Sequence, residues 1–290
     1  MERFFYSLIG QRKFFAFIEL GRPWNGLLVF LILLIGYLLA INTLTAISLM
    51  GALAIFIIYM GAASLNDIFD FNVDKINMPY RPITRSLITK PEAFVFTIIM
   101  YFLGLLLSAF LSIYFLISVI FLSILSFFYS APPLNFKNKG ISGNLILSIS
   151  TIFFPLYSGY VLANNFLMPS IEFLVLVFFL TLSFALISIS KDLKDITGDR
   201  AFNKITIPVK KGIKPITKYL KTGLLIHLIS IFSIYYFFLK DTLFLIISLI
   251  LLLAFGIVIN HLNRYSGESI WTIVRLLVFS FFIILFIFLF

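Results

Sequence analysis

Nine apolar stretches, each long enough to cross a bilayer, constrain this chain more than any other feature. They run over 24–41, 45–66, 92–111, 113–130, 143–163, 170–190, 219–239, 242–261 and 269–290. A spanning helix needs roughly 20 such residues. Backbone polar groups in hydrocarbon must satisfy one another, and in uninterrupted apolar runs of this length only the helix does so. The composition agrees: 61% of residues are hydrophobic, 12% are charged and the mean hydropathy is +1.11. Soluble domains run nearer 45–50% apolar and about 25% charged. The expectation is an all-α, multi-pass membrane protein forming one domain over 1–290. The chain has no cysteine, so disulfide and thiolate chemistry are excluded. Residues 1–22 carry Arg3, Arg12 and Lys13 among aromatics and lack a small-residue cleavage site. They read as a helix lying on the membrane surface, with Arg22 at the mouth of the first span.

Nine crossings put the termini on opposite faces. With the N-terminus in the cytoplasm, every Lys and Arg except Lys240 and Arg275 falls in a cytoplasmic segment. That is the positive-inside pattern. The formal charge of +10 is then mostly topology. Nucleic acid is excluded as a partner, because the basic residues are shared among separate loops at the lipid surface. The same orientation places the C-terminus outside and the longer connections, 67–91, 131–142 and 191–218, inside. Outer breaks such as Asn42-Thr43 and Lys240-Asp241 are too short to build a site. Chemistry is therefore expected at the cytoplasmic face of the cell membrane. Arg275 reads as snorkelling to that face, with a cavity role as the alternative, and His227 reads as structural.

Every aspartate but Asp241 falls in one of two clusters, Asp67-x-x-Asp70-x-x-x-Asp74 and Asp192-x-x-Asp195-x-x-x-Asp199. On a helix, positions i, i+3 and i+7 share a face, so each cluster is expected to aim three carboxylates one way. Each sits at the cytoplasmic end of an even-numbered span. A charge at the bilayer centre costs roughly 2.5–3.5 kcal/mol, and converging carboxylates repel, so something must compensate. Oxygen-only donors, with no Cys or His beside them, point to Mg²⁺ rather than Zn²⁺. Magnesium shares itself between a carboxylate or two and phosphate oxygens, so two facing clusters could hold two or more ions around a diphosphate. Solvated loop charges are the bland alternative, and the repeated three-Asp spacing argues against it. An EF-hand fails because Lys75 replaces the required Gly and Arg81 replaces the bidentate Glu.

Cations follow both clusters. Lys75, Arg81 and Arg85 come after the first, and Arg200, Lys204, Lys210, Lys211 and Lys214 after the second. A third basic loop, Tyr129 to Lys139, lies on the same side. A departing diphosphate needs metals and fixed cations to absorb the charge it gains. Arg81, Lys137 and Arg22 stand in Pro-restrained contexts, which sets them apart from loose basic runs. Asn25 would lie inside the first span, where a buried amide needs a partner.

These residues resemble the UbiA superfamily of intramembrane prenyltransferases along nearly the whole chain. The resemblance is carried by Arg22-Pro23-x-Asn25, Asn66 to Asp74, Asn77-x-Pro79-x-Arg81-Pro82-Ile83, Tyr129-Ser130-x-Pro132-Pro133 with Gly143-Asn144, and Lys191-Asp192-x-x-Asp195-x-x-Gly198-Asp199-Arg200 with Thr206-Ile207-Pro208. It implies nine helices around a central cavity under a cytoplasmic cap. It implies metal roles for Asn66, Asp67, Asp70, Asp74, Asp192, Asp195 and Asp199. It implies contacts to the diphosphate from Arg81 and Lys137, and from Arg22, Asn25, Asn66, Tyr129, Lys191 and Lys204. Asp70, Asp195, Arg81 and Lys137 are the expected catalytic set. Two positions depart from the pattern: Asn135, where Arg is usual, and Arg85-Ser86, where Ser-Gly is usual.

Within the superfamily, the Gly198-Asp199-Arg200 ending resembles both the branch that builds archaeal ether lipids and the chlorophyll and homogentisate branch, and the Arg22-Pro23-x-Asn25 start and the Arg81-Pro82-Ile83 context favour the former. That branch implies geranylgeranyl diphosphate as donor and the free hydroxyl of geranylgeranylglyceryl phosphate as lipid-like acceptor, with the acceptor phosphate met by the Lys204–Lys218 region. An aromatic acceptor is the alternative within the family, and an anion transporter the alternative outside it. The 37 phenylalanines read as lipid contact and helix packing rather than as a cage for a carbocation.

Overall fold

The computed structural model describes residues 2–212, 214–261 and 266–290. Among them, nine helices are long and apolar enough to cross a membrane: Pro23–Ile41, Ala46–Asn77, Lys90–Leu111, Ile113–Ser130, Ile141–Asn164, Ile171–Leu193, Pro215–Leu239, Thr242–Asn260 and Gly267–Leu289. We number them as spans one to nine. Their bounds follow the hydropathy closely, with one informative exception. The second span was expected to end at residue 66, yet its helix continues to Asn77 and covers 32 residues. At 1.5 Å per residue that is about 48 Å, far more than the roughly 30 Å hydrocarbon core. The first Asp cluster is thus the last part of a long helix, and the connection beyond it begins only at Met78.

Short breaks turn the chain at the far end. Asn42 adopts φ 51° and closes the first span, and Lys240 (φ 53°) does the same for the seventh. Left-handed closure of this kind satisfies the last helical carbonyls. Thr45 and Ser48 form a reciprocal cap at the start of the second span, and the Asp241 side chain accepts from the Phe244 amide at 2.9 Å. These are the N-terminal donors that a helix cannot satisfy by itself.

Neighbours around the bundle follow chain order, and the ninth span returns to pack on the first. The first and fifth spans approach closely in their distal halves. A side chain on Gly36 would collide with the backbone of Leu156, and one on Gly159 with the backbone of Leu33. This contact, with Ile35, Leu38, Leu156 and Phe282 of the surrounding core, closes the bundle at the end away from the Asp clusters. Lipid-facing positions are large and apolar, for example Phe102, Phe110, Leu253 and Ile257.

The helix Glu2–Gly21 precedes the first span. It is more than a surface-lying element: Ala16 and Leu20 are buried with Ile83, Ile88 and Ala93, Lys13 pairs with Glu92, and Glu19 pairs with Arg85 at 2.6 Å. Together with three connections it forms a cap over one end of the bundle. The connection expected over 191–218 contains two short helices, Ile196–Ala201 and Ile207–Lys211. It touches the 131–140 loop through a parallel bridge between Lys139 and Ile205.

Candidate active site

Beneath the cap lies a cavity of about 470 Å³, within the roughly 300–1,000 Å³ usual for ligand pockets. All predicted site residues reach its wall: Arg22, Asn25, Asn66, Asp67, Asp70, Asp74, Arg81, Tyr129, Lys137, Lys191, Asp192, Asp195, Asp199 and Lys204. The mouth is charged. The interior, formed by residues such as Val29, Ile55, Ile58, Leu122, Leu147 and Val278, is apolar. Phe184 and Phe279 are the only phenylalanines on the wall among the described residues, so the aromatic richness of the chain belongs to packing and lipid, as expected.

The first cluster lies on one face of the second span, and its three carboxylates are buried, between 2% (Asp67) and 9% (Asp70) exposed. Each meets cations. Arg22 and Arg81 converge on Asp67, and Arg81 also pairs with Asp74. Asp70 lies between Lys137 at 3.0 Å and Lys204 at 2.8 Å. Arg22 is held in the left-handed region, φ 50°, at the junction of the surface helix and the first span. A non-glycine residue there stores strain, which the pair with Asp67 opposes. Asn66 donates to the Ser130 hydroxyl at 3.2 Å.

The second cluster departs from the expected helical face. The sixth span tightens into a 3-10 turn over Ser188–Leu193, the chain breaks at Asp195 (φ −100°, ψ 3°), and a new helix starts at Ile196. Asp192 accepts from Asn144 Nδ2 at 3.2 Å, and Asn144 in turn accepts from Ser188 at 3.0 Å. Lys191 donates to the Tyr129 hydroxyl at 3.1 Å. Lys204 lies 3.8 Å from Asp199 and so joins the two clusters through Asp70. Among the described residues no three carboxylate or imidazole groups are gathered into a ready metal-holding set, because cations separate the carboxylates.

Burial pushes the Asp199 carboxyl up to about 6, with Lys204 opposing and Asp195 and Asp192 reinforcing the shift. Burial also lowers the Lys137 ammonium below its usual range despite Asp70. It opposes the charge of Lys204 as well, but there Asp70 and Asp199 outweigh it and hold the group above its usual range.

Asn77, in the Asn77-x-Pro79-x-Arg81 run, has a role that its sequence context does not reveal. Its side chain donates to the Asp195 carbonyl at 3.0 Å and accepts from the Gly198 amide at 2.8 Å. It ties the end of one cluster's helix to the turn carrying the other. Gly198 permits this, since a Cβ there would lie 2.5 Å from Asn77 Oδ1. Asn144, Lys194 and Trp271 are further residues of the site whose role is not legible in the sequence. Lys194, Trp271 and Arg275 line the cavity, and Arg275 thus takes the cavity role that was the alternative to snorkelling. Of the Lys204–Lys218 region, only Lys204 and Thr206 reach the cavity wall among the described residues. Lys211 and Lys218 are exposed away from it.

The two departures from the family pattern share one geometry. Asn135 (φ 41°) and Ser86 (φ 59°) both sit in the left-handed region. Asn enters that region more readily than other side chains, whereas Ser at such a position is strained.

A helical bundle with two carboxylate clusters and a ring of cations at the mouth of an apolar cavity defines an intramembrane site for an amphiphile bearing a phosphorylated head. The chain belongs to the UbiA prenyltransferase family, whose model matches residues 26–287, and it is a prenyltransferase. It is 32% identical to the digeranylgeranylglyceryl phosphate synthase of Korarchaeum cryptofilum over 77% of this chain and 74% of that one. It is 30% identical to the enzyme of the same name from Sulfurisphaera tokodaii over 88% and 89%. Among solved structures, a digeranylgeranylglyceryl phosphate synthase superposes with a TM-score of 0.67 at 25% identity, covering 96% of this chain and 98% of that one. A UbiA homologue from Archaeoglobus fulgidus bound to GPP and Mg²⁺ superposes with a TM-score of 0.72 at 19% identity, covering 94% and 99%. The latter likeness shows the shared fold.

Proposed function

We propose that this chain transfers a geranylgeranyl group from geranylgeranyl diphosphate to the free hydroxyl of geranylgeranylglyceryl phosphate, forming an ether of archaeal membrane lipid. The observation that carries the reading is the pair of Asp clusters joined by Lys204 over an apolar cavity. The relatives named for this reaction, at about 30% identity over most of the chain, support the acceptor.

The donor set fits Mg²⁺. It offers oxygen ligands alone, and the buried Asp195 Oδ1 has no partner. Asn66, Asp67, Asp70 and Asp74 on one side and Asp192, Asp195 and Asp199 on the other would hold two or more ions bridging the diphosphate. When bound, the metal neutralises charge on the leaving group. Arg81, Lys137, Arg22 and Lys204 would exchange their carboxylate partners for diphosphate oxygens, with Asn25, Tyr129 and Lys191 framing the same head group. The C1–O bond breaks, the diphosphate leaves with the electron pair, and positive charge develops at C1. The apolar wall excludes water from it. The acceptor hydroxyl oxygen then bonds to C1, and its proton passes to Asp70 or Asp195.

In this reading the nine spans act as one domain in the cell membrane, with the N-terminus and the cap in the cytoplasm and the C-terminus outside. Among the described residues, Lys240 is the one basic residue at the opposite end, which supports that orientation.

Purified protein in detergent, given Mg²⁺ and geranylgeranyl diphosphate, should convert geranylgeranylglyceryl phosphate to the doubly prenylated product by mass spectrometry. Asp70→Ala and Asp195→Ala should yield none. A prenylated 4-hydroxybenzoate or homogentisate in place of the lipid would keep the chemistry and replace the acceptor.

A further inference from the structure

Arg275 stands within the ninth span, eight residues after Gly267, hence about 12 Å below the start of that helix. A Cβ on Gly267 would meet the backbone of Leu193, the neighbour of Asp192, so the ninth span descends from beside the turn that carries the second cluster, and Arg275 stands on a helix that holds neither Asp cluster. It faces the cavity together with Trp271, one turn above, and Val278, one turn below. A guanidinium so far into a span is costly unless it meets water or an anion.

Its surroundings supply no protein anion. The ion pairs of the site engage Arg22, Arg81, Lys137 and Lys204 with the Asp clusters. Arg275 enters no ion pair and no hydrogen bond among the described residues. The six motif carboxylates and the cations around them are matched to a diphosphate with metal. One guanidinium on the cavity wall outside those pairs is matched to a second, smaller anion. The fork of an Arg side chain suits the oxygens of a phosphate monoester.

We infer that Arg275, with Trp271 beside it, forms a separate subsite that binds the phosphate monoester of the acceptor. The subsite rests on the reading that the acceptor is a phosphorylated prenylglycerol. It replaces the Lys204–Lys218 region, of which, among the described residues, only Lys204 and Thr206 reach the cavity wall. Binding there would hold the acceptor's head apart from the diphosphate and leave its hydroxyl facing C1 of the donor.

The test compares wild type, Arg275→Gln and Arg275→Lys in steady-state kinetics, with geranylgeranylglyceryl phosphate and with geranylgeranylglycerol as acceptors. The Gln variant should raise KM for the phosphorylated acceptor at least tenfold and leave KM for the diphosphate donor within twofold. It should also erase the preference for the phosphorylated over the unphosphorylated acceptor. The Lys variant retains the charge and should fall between, so the subsite stays testable even if the Gln variant fails to fold. An unchanged acceptor KM, or an equal rise in donor KM, would overturn the subsite while leaving the reaction intact. If wild type prenylates neither acceptor, the proposed reaction falls first and the subsite with it.

Discussion

Replacing Gly198 with Ala tests whether the two Asp clusters work as one unit. The added Cβ would lie 2.5 Å from Asn77 Oδ1 and 2.6 Å from its Cγ and Nδ2. Ordinary contact needs about 1 Å more. Either the Asn77 amide swings away or the turn carrying Asp195 and Asp199 retreats. The first outcome loses hydrogen bonds of 3.0 and 2.8 Å, about 0.5–1.5 kcal/mol each. The second moves carboxylates by about 1 Å relative to Asp70, a displacement that can cost on the order of 10²-fold in rate. We expect kcat for prenyl transfer to fall between tenfold and a hundredfold and the half-saturating Mg²⁺ concentration to rise, with the helical content unchanged. Asn77→Ala should cause a smaller loss, and in that background Gly198→Ala should cost little, because the colliding amide is gone. The measurement is a double-mutant cycle on kcat and on Mg²⁺ dependence. Full activity in Gly198→Ala, or additive effects of the two substitutions, would refute the coupling.

Three further outcomes follow from the same structure. Asp70→Asn removes the charge shared by Lys137 and Lys204, and should lower kcat by at least 10²-fold in the mass-spectrometric assay. Ser86→Gly should relieve left-handed strain at φ 59° and stabilise the protein by up to about 1 kcal/mol, read as a rise in Tm. Asp199, with its pKa raised to about 6, binds its proton more tightly folded than unfolded. Its contribution to stability is therefore present below the unfolded carboxylate pKa, near 3.9, and is lost as pH rises through about 6. Metal binding needs the deprotonated form, so half-saturating Mg²⁺ should increase as pH falls from 7.5 to 5.5, and Asp199→Asn should flatten that dependence.

The spans were legible because hydrocarbon imposes one simple rule on sequence, a run of apolar residues. What hydropathy cannot report is a helix that leaves the membrane and continues. Asn66 to Asn77 is polar enough to read as a loop, yet it contains no Gly or Pro, and the helix persists until Pro79 forbids it. The two clusters have one spacing but different backbones, since a period of i, i+3, i+7 cannot tell an α-helix from a 3-10 turn followed by a second helix. The motifs marked the predicted residues that line the cavity, but not Lys194 or Trp271 beside them. The pairing of the marked residues was not legible, because Lys137 and Lys204 reach Asp70 from loops 67 and 134 residues away along the chain. Asn77 left a signal in its fixed place between Asp74 and Pro79. Arg275 left only its position inside an apolar span, which fits equally well a side chain reaching for the interface and one facing a cavity.

The glycine contact between the first and fifth spans makes the cavity a blind well. Its wall positions on the first, fifth and ninth spans, such as Val29, Thr151 and Phe279, stop short of the crossing at Gly36 and Gly159. Both substrates must therefore enter, and the product leave, by the capped end or sideways into the bilayer. In this structure the cavity does not run through to the far end of the bundle. A cell can carry many copies of such an enzyme without short-circuiting the ion gradients that the same membrane has to hold.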